Sequence, residues 1–550
     1  MAYKDIIYTD VLIIGAGPAG LSTAIKLADY TKDKDYRIMV LEKGKNVGSH
    51  ILSGAIVKPD VFKDLLPDKN FNEIPFYSKI GKNKTVLINK KRKFTLPFNA
   101  PYMGNKGNYL GSLVQICKYL AKIAEEKNVE VYTGFSVNEL IYEDNKVIGA
   151  KTIDTGVDRC GNPMKNFQEG TVIKAKLIIL AEGTHGTLTK EVIKKYDLDK
   201  DCNPQMYSLG CKEIWHVPKS LLKPGQVYNT MGYPLTKKQF GGGFIYGLTE
   251  NKVAVGLVVG LDYADPTFDV HSAFQIWKTQ PFVKKFLSNG TLLEYGAKTL
   301  PEGGLYSIPK LYTDNVMIVG DSAGFILMPD LKGVHPAMIS GMLSAKVAAE
   351  ALDKNDFSED FLSKYEKLFQ SNKLYKQFGR SRNFRQAFSN GMFKGGFLFA
   401  TQLISRGGGL IDNLKSKPDS KTTKKYRKFK KKGFQTKYQD KLNFDNKFTF
   451  DKDTDIYYSN VFYDENQIPH LQVNDIKDFN KVNIKKYGAP CQYFCPANVY
   501  EIHTNKEGKK ELLIHFENCI QCKTCEIKSP SKGITWNLPY GGNGPDYQNM

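Results

Sequence analysis

The pattern of apolar and polar positions opens on a buried strand. Residues 11–14, Val-Leu-Ile-Ile, are uninterrupted and largely β-branched, as expected of a strand covered on both faces of a parallel sheet. The following "LSTAIKLADY" spaces its apolar residues as a helix does, and "RIMVLEK" is a second strand. Strand, helix and strand in this order predict a Rossmann-like α/β unit. Two more strands of this kind are predicted in "AKLIILAEGTHG" (175–186) and "DNVMIVGDSAGFI" (314–326). The second leads into a long helix, "KGVHPAMISGMLSAKVAAEAL".

Two other apolar stretches stand outside that unit. In "NYLGSLVQICKYLAKIA" (108–124), Leu110, Leu113, Val114, Cys117, Leu120 and Ala121 recur at helical spacing, which suits either a core helix or a membrane-surface helix. "GMFKGGFLFATQLISRGGGLI" (391–411) is aromatic and apolar, has glycine-rich ends and lacks a periodic polar face. No window reaches the roughly 18 uninterrupted apolar residues of a spanning helix.

The first chemistry lies between the first strand and its helix. Gly15, Gly17 and Gly20, with Ala16, Pro18 and Ala19 between them, form Gly-x-Gly-x-x-Gly. The first glycine permits a tight turn, the second lets backbone approach a pyrophosphate, and the third lets helix pack on strand. A pyrophosphate would sit at the helix N-terminus, where free N–H groups and the dipole favour negative charge. Glu42, followed by Lys43, ends the second strand about 20 residues on, placed for the ribose hydroxyls. The strand in 175–186 ends in glycines, Gly183 among them, and the Gly320-Asp321 pair after the strand in 314–326 resembles the second flavin motif of glutathione-reductase-like FAD proteins. The helix start at Gly333, Val334 and His335 would then aim N–H groups at the isoalloxazine. FAD is therefore the expected cofactor. The glycine cluster 240–247 lacks a preceding buried strand and a suitably spaced acid, so no NAD(P)H fold is expected.

The cysteines carry the second chemistry. Cys519, Cys522 and Cys525 keep the Cys-x2-Cys-x2-Cys spacing of a bacterial ferredoxin, but the fourth position is Ser529, with Pro530 behind it. In two-cluster ferredoxins the Cys before proline ligates the other run's cluster. An upstream Cys495-Pro496 supplies that fourth ligand. The remaining positions of the upstream run are Lys485, Gly488 and Cys491, so the second cubane has lost three of its four ligands. One [4Fe–4S] cluster on Cys495, Cys519, Cys522 and Cys525 is expected, with Cys491 an unligated thiol nearby. Zinc is the weaker reading, because structural zinc usually takes separated Cys pairs or Cys/His mixtures.

Composition adds limits. At 550 residues the chain is long enough for two to four structural units. Five of nine cysteines fall in the last 60 residues, which suits a metal site in a reducing compartment better than a disulfide framework. The formal charge of +21 is dispersed, which argues against nucleic acid; only residues 421–437 are densely basic. That run reads as a solvated loop or as a segment against acidic headgroups. "MAYKDIIYTD" has acids and no arginine, unlike a secretory or transit peptide.

Flavin motifs at one end and a one-cluster ferredoxin domain at the other resemble the electron-transfer flavoprotein–ubiquinone oxidoreductase family. The likeness runs through "GSHILSGAI", "GCKEIWHV", "GGGFIYGL", "GLVVGLDY", "YGAKTLPEGG" and "SIPKL" to "CPANVYE", "NCIQCKTCEIKSP" and "GGNGP". The resemblance implies an enzyme that takes electrons singly from reduced electron-transfer flavoprotein and delivers two to ubiquinone in the membrane. It makes Gly241 and Gly242 the quinone-site glycines, where missing Cβ atoms let backbone approach a carbonyl. Many members have Tyr before these glycines; here it is Phe240. It also implies a peripheral enzyme on the cytoplasmic face of a bacterial inner membrane, or on the matrix face of the mitochondrial inner membrane if the chain is a processed form. Residues 391–411 with the following lysines suit the membrane contact.

The expected architecture is an α/β FAD-binding, glutathione-reductase-like domain (1–75, 100–205 and 300–370) and a β-rich ubiquinone-binding lobe (76–99 and 206–299). A membrane-contact and basic linker segment (371–439) precedes a ferredoxin-like [4Fe–4S] domain (440–550). A geranylgeranyl-reductase-like flavoenzyme or a monooxygenase shares the flavin fold but needs no cluster domain. An electron-carrier subunit of a larger complex would need no quinone site.

Overall fold

The structure is a computed structural model. It describes residues 6–99, 102–438, 442–506, 508, 510–531 and 533–550. The opening residues 1–5, on which the targeting reading partly rests, and the boundaries at 100 and 440 lie outside the described residues.

The predicted βαβ unit forms. Ile6–Ile14 pairs in parallel with Ile38–Glu42 on one side and Val172–Leu180 on the other. Val316–Ile318 and Glu130–Thr133 extend the parallel sheet outwards. The strands are apolar on both faces because helices cover them. Pro18–Tyr30 runs between the sheet and two neighbours, Leu113–Glu126 and Val334–Lys354. It crosses the second closely, since a Cβ on Gly341 would lie 2.3 Å from the Ala19 carbonyl oxygen.

The ambiguous segment 108–124 resolves here. Helix Leu113–Glu126 buries Leu113, Ile116, Cys117, Leu120 and Ala121 in the flavin-lobe core and Val114 in a smaller cluster with Phe244 and Tyr246, so its apolar face meets protein. Ser112 caps it through the Gln115 N–H, which is why the helix starts where the apolar stripe does.

A second sheet has seven strands, ordered Thr291–Pro301, Tyr207–His216, Lys252–Gly260, Gly241–Gly247, Gln226–Gly232, Lys82–Ile88 and Lys93–Thr95. All its neighbours are antiparallel except the pair Gln226–Gly232 and Lys82–Ile88. Strand Phe76–Lys79 belongs to a separate three-stranded sheet with Tyr109–Gly111 and Ile56–Val57.

The cluster domain is no bead on a string. Its core is continuous with that of the seven-stranded sheet. Buried polar contacts fix the register between them: His271 Nε2 lies 2.7 Å from Asp455 Oδ2, and the Tyr295 hydroxyl donates to the Pro496 carbonyl at 3.1 Å. Beside them, the fully buried Lys278 and Glu213 form an ion pair at 2.7 Å. Removing one member of such a pair costs about 3–5 kcal/mol, because the other charge is left uncompensated.

Candidate functional site

A cavity of about 330 Å³ opens where the parallel sheet, the seven-stranded sheet and the cluster domain meet. The fingerprint glycines divide its construction among themselves. A Cβ on Gly15 would lie 2.4 Å from the Ala181 carbonyl oxygen, and one on Gly20 would lie 2.0 Å from the Gly15 carbonyl oxygen. These two glycines hold helix against strand. Gly17 has no protein atom within 4 Å of its virtual Cβ, and it lines the cavity with Gly15, Pro18 and Ala19. That bare backbone at a helix N-terminus is a cradle for a pyrophosphate. Ala16 does not line the cavity; its N–H donates to Glu42 Oε2 at 2.9 Å, while Gly44 N–H donates to Oε1 at 2.8 Å. The two amides orient the carboxylate into the cavity wall.

Gly183 and Asp321 line the same wall, as do Gly333 and Val334 at the start of the 21-residue helix. Gly320 is set back from the cavity: with φ +63°, its virtual Cβ would lie 2.8 Å from Ala19 Cβ, so it serves close packing. Burial pushes the Asp321 carboxyl up to about 6. His335 is buried in the helix and does not line the cavity.

Five lysines line this space: Lys212, Lys332 and Lys523 are buried, and Lys43 and Lys298 are half-buried. Lys298 Nζ donates to the Gln521 carbonyl at 3.1 Å, Lys523 Nζ to the His185 carbonyl at 2.7 Å, and Lys43 Nζ to Gln521 Oε1. Among the described residues, none of the three has a carboxylate at ion-pair distance. Burial pushes Lys43 down to about 7 and lowers Lys298 as well. Ammonium groups drawn partly out of water without an ion-pair partner are costly, so a donor set of this kind fits an anionic ligand. With the glycine cradle and Glu42, it fits FAD.

The four predicted cysteines converge. Cys495, Cys519, Cys522 and Cys525 line one small void, together with Leu471, Tyr500, Ile520 and Trp536. All four are buried, and burial pushes the thiols of Cys495 and Cys519 up to about 12 and about 11. Thiolates there need a cationic partner, which iron supplies. Gln521 and Lys523 adopt left-handed backbone, φ +54° and +65°, which curls the loop between its three cysteines, all of which line the void. Gln521 N–H lies 3.4 Å from Cys519 Sγ, and Thr524 Oγ1 lies 3.3 Å from Cys522 Sγ. Polar groups thus approach two of the sulfurs, while Leu471, Ile520 and Trp536 make the void's walls apolar. Cys491 opens a short helix and does not line the void. The Ser529 hydroxyl, at the vacated fourth position, is buried without a hydrogen-bond partner.

Gly241 and Gly242 begin a strand, paired with Val259 and Val258, rather than a turn. Their virtual Cβ atoms would lie 2.2 Å from the Val258 carbonyl oxygen and 2.5 Å from the Thr230 carbonyl oxygen. They do not line the flavin cavity, but Phe244 and Tyr246, further along the same strand, do. Phe240 packs against Phe388 at 5.4 Å and Phe384 at 6.2 Å, and the Arg385 guanidinium lies 4.4 Å from its ring. Phe384 and Phe388 in turn touch Phe399, on helix Met392–Ile404. That helix buries only Gly395 and Gln402; Phe393, Phe397 and Ile404 are 73%, 63% and 87% exposed. Leu410 and Ile411 follow, also exposed, and most lysines of 421–437 face solvent.

The chain matches curated relatives along its whole length. It is 39% identical over 559 residues to the mitochondrial electron transfer flavoprotein-ubiquinone oxidoreductase of Arabidopsis thaliana, covering 100% of this chain and 86% of the relative. The chain belongs to the electron transfer flavoprotein–ubiquinone oxidoreductase family. The Pseudomonas aeruginosa member is 39% identical over 556 residues with both chains fully covered, and the Rattus norvegicus mitochondrial member is 37% identical over 569 residues, covering 98% and 89%. Family models agree in three places. Residues 9–191 match pyridine nucleotide-disulphide oxidoreductase, 207–300 match "ETF-QO, ubiquinone-binding", and 446–548 match "Electron transfer flavoprotein-ubiquinone oxidoreductase, 4Fe-4S". A geranylgeranyl bacteriochlorophyll reductase-like structure from Thermoplasma acidophilum has a TM-score of 0.57 at 19% identity, covering 80% of this chain and 100% of that one. A flavin-dependent brominase reaches 0.50 at 18%, covering 74% and 94%. These two likenesses concern the flavin fold alone. Membership in the family brings FAD and a [4Fe–4S] cluster as cofactors.

Several site residues escaped sequence reasoning. Lys298, Gln521 and Lys523 sit inside "YGAKTLPEGG" and "CIQCKTC", stretches whose sequence signal is family likeness and cysteine spacing. Their signal was weak because a lysine normally belongs at the surface.

Proposed function

We propose that this chain oxidises reduced electron-transfer flavoprotein and reduces ubiquinone to ubiquinol, passing electrons through a [4Fe–4S] cluster and FAD. The observation that carries the reading is that one loop, 519–525, bounds both the cysteine-lined void and the flavin cavity. When bound, the cluster supplies one-electron transfer and the flavin exchanges one or two electrons, the conversion a quinone needs.

The chain's own residues hold and orient. Gly15 and Gly17 with Glu42 would hold the dinucleotide while Gly20 seats the helix on the strand, Gly333 and Val334 would present backbone N–H groups to the flavin, and the four cysteines would ligate iron. Gly241 and Gly242 would bind the quinone head through backbone polar groups. No side chain is required as a nucleophile, and no role falls to NAD(P)H or nucleic acid.

In the same reading, helix Met392–Ile404 rests in the membrane surface. No described helix is long and apolar enough to cross a membrane. Moving an exposed Phe or Ile from water into hydrocarbon is worth about 1.5–3 kcal/mol. Phe393, Phe397, Ile404, Leu410 and Ile411 together, with lysines beside them, are enough for peripheral binding. The aromatic series Phe399, Phe388 and Phe240 connects that helix to Gly241, so a quinone could reach the glycines without entering water. The membrane would be the bacterial inner membrane at its cytoplasmic face, or the mitochondrial inner membrane at its matrix face. In this reading the flavin lobe, quinone lobe, contact segment and cluster domain follow the ranges expected from sequence, except that strand Phe76–Lys79 pairs with Tyr109–Gly111 of the flavin lobe and not with the seven-stranded sheet.

Long-chain ubiquinone in vesicles tests this reading. With reduced electron-transfer flavoprotein as donor, quinol should accumulate only when the enzyme co-floats with the vesicles. Turnover of vesicle-embedded quinone without co-flotation would overturn the membrane assignment, and no quinol with any quinone would overturn the function.

A further inference from the structure

The cluster loop is gripped from outside its own domain. Lys43, at the end of the second flavin-lobe strand, holds the Gln521 side chain. Lys298, on the edge strand Thr291–Pro301 of the other sheet, holds the Gln521 backbone carbonyl at 3.1 Å. Next to it, the Thr299 hydroxyl donates to the Cys522 carbonyl at 2.7 Å. Gln521 itself is fully buried, and its amide donates to the Asn543 carbonyl at 2.9 Å. Two lysines from two different lobes thus converge on the residue between two cluster cysteines, and both also line the flavin cavity.

We infer that Lys298 and Lys43 are potential-setting residues shared by the two redox centres: one pair of half-buried cations, placed between the flavin cavity and the cluster loop, that raises the reduction potential of both. The inference rests on the cofactor pair named above and adds the residues that couple it. Each one-electron reduction adds one negative charge. A cation held in low-dielectric surroundings favours the state carrying that charge, and its field is screened little by salt. Hydrogen bonds from Lys298 to the Gln521 backbone carbonyl and from Lys43 to the Gln521 side chain hold the ammonium groups in place as the cofactor charge changes. No carboxylate at ion-pair distance cancels them among the described residues. A shared cation also ties the two centres together, because a charge change near one face of the pair is felt at the other. Packing alone does not require ammonium groups here; methionines of similar length would fill the space without desolvating a charge.

The test is an anaerobic redox titration of the loaded full-length enzyme, with the cluster followed by EPR and the flavin by absorbance. Lys298→Met is compared with Lys298→Arg. The expected result is a fall in both midpoint potentials in Lys298→Met and potentials near those of the unaltered chain in Lys298→Arg. Potentials unmoved in a fully loaded Lys298→Met would overturn the inference. Should that variant fail to hold its cofactors, Lys43→Met reads the same field from the other side of Gln521, and unmoved potentials there overturn it equally. A shift confined to one centre would overturn the claim that the pair is shared. The titration uses neither donor nor quinone, so its failure is distinct from a failure to form quinol.

Discussion

The two cofactor sites are neighbours built on different plans. The cysteine-lined void draws its four candidate ligands from one domain, three of them within seven residues of chain, 519–525. The flavin cavity takes its wall from all three lobes: Gly17 and Asp321 from one, Phe244 and Lys298 from another, Lys523 and Leu538 from the third. A local site can be specified by spacing. A composite one is specified by how the lobes dock, and the docking here uses the same loop that carries the cysteines. The cluster domain is therefore both a redox module and part of the flavin site's wall.

The sharpest way to separate the two is to break one and leave the other. Cys525→Ala removes one ligand of four; the expected outcome is loss of the cluster EPR signal and of bound iron, with flavin retained and quinol formation from the flavoprotein donor falling at least about 100-fold. If the flavin is lost as well, the composite cavity depends on the cluster more than its wall residues indicate. Gly20→Val is the converse. Its side chain would meet the Gly15 carbonyl, where a Cβ has only 2.0 Å. Overpacking of this kind costs about 1–3 kcal/mol or more, so lowered thermal stability and weakened flavin retention are expected by calorimetry and flavin absorbance, while iron content in the folded fraction stays high.

A smaller effect is expected away from both sites. The double change Phe397→Asp and Ile404→Asp on the exposed helix should lower vesicle partitioning by at least about tenfold, since each apolar side chain contributes about 1.5–3 kcal/mol. Turnover with a short-chain quinone in solution should be unaffected, and a parallel loss there would mean the helix supports the fold instead. The smallest change is expected for Phe240→Tyr. It restores the residue many family members carry and adds one hydroxyl to a half-buried ring; a net hydrogen bond is worth about 0.5–1.5 kcal/mol, so quinone KM should move by no more than about tenfold.

Much of this was legible before any coordinates. The βαβ unit, its glycines and Glu42 are encoded by contiguous residues whose roles follow from backbone sterics, and Gly15, Gly17 and Gly20 divide labour much as that logic expects. The cysteine set was legible because thiolate spacing is rigid. The helix at 108–124 was not, because an amphipathic stripe looks the same whether protein or lipid will cover it; Leu113–Glu126 turned out to face the flavin-lobe core. Gly320 looked like a cofactor contact and proves to be a packing glycine against Ala19, since sequence does not distinguish bare backbone facing a ligand from bare backbone facing a helix. Lys43 was placed beside Glu42 as part of the nucleotide site, but its hold on Gln521, 478 residues away in sequence, follows only from how the lobes dock.

The most direct measurement is anaerobic turnover: reduced electron-transfer flavoprotein as donor, a short-chain ubiquinone as acceptor, and NADH as the control donor. Quinol formed with the flavoprotein and not with NADH is the predicted result. No quinol from an enzyme whose flavin and cluster are both present and reducible would contradict the account, and would leave the cluster domain as an electron port to another acceptor.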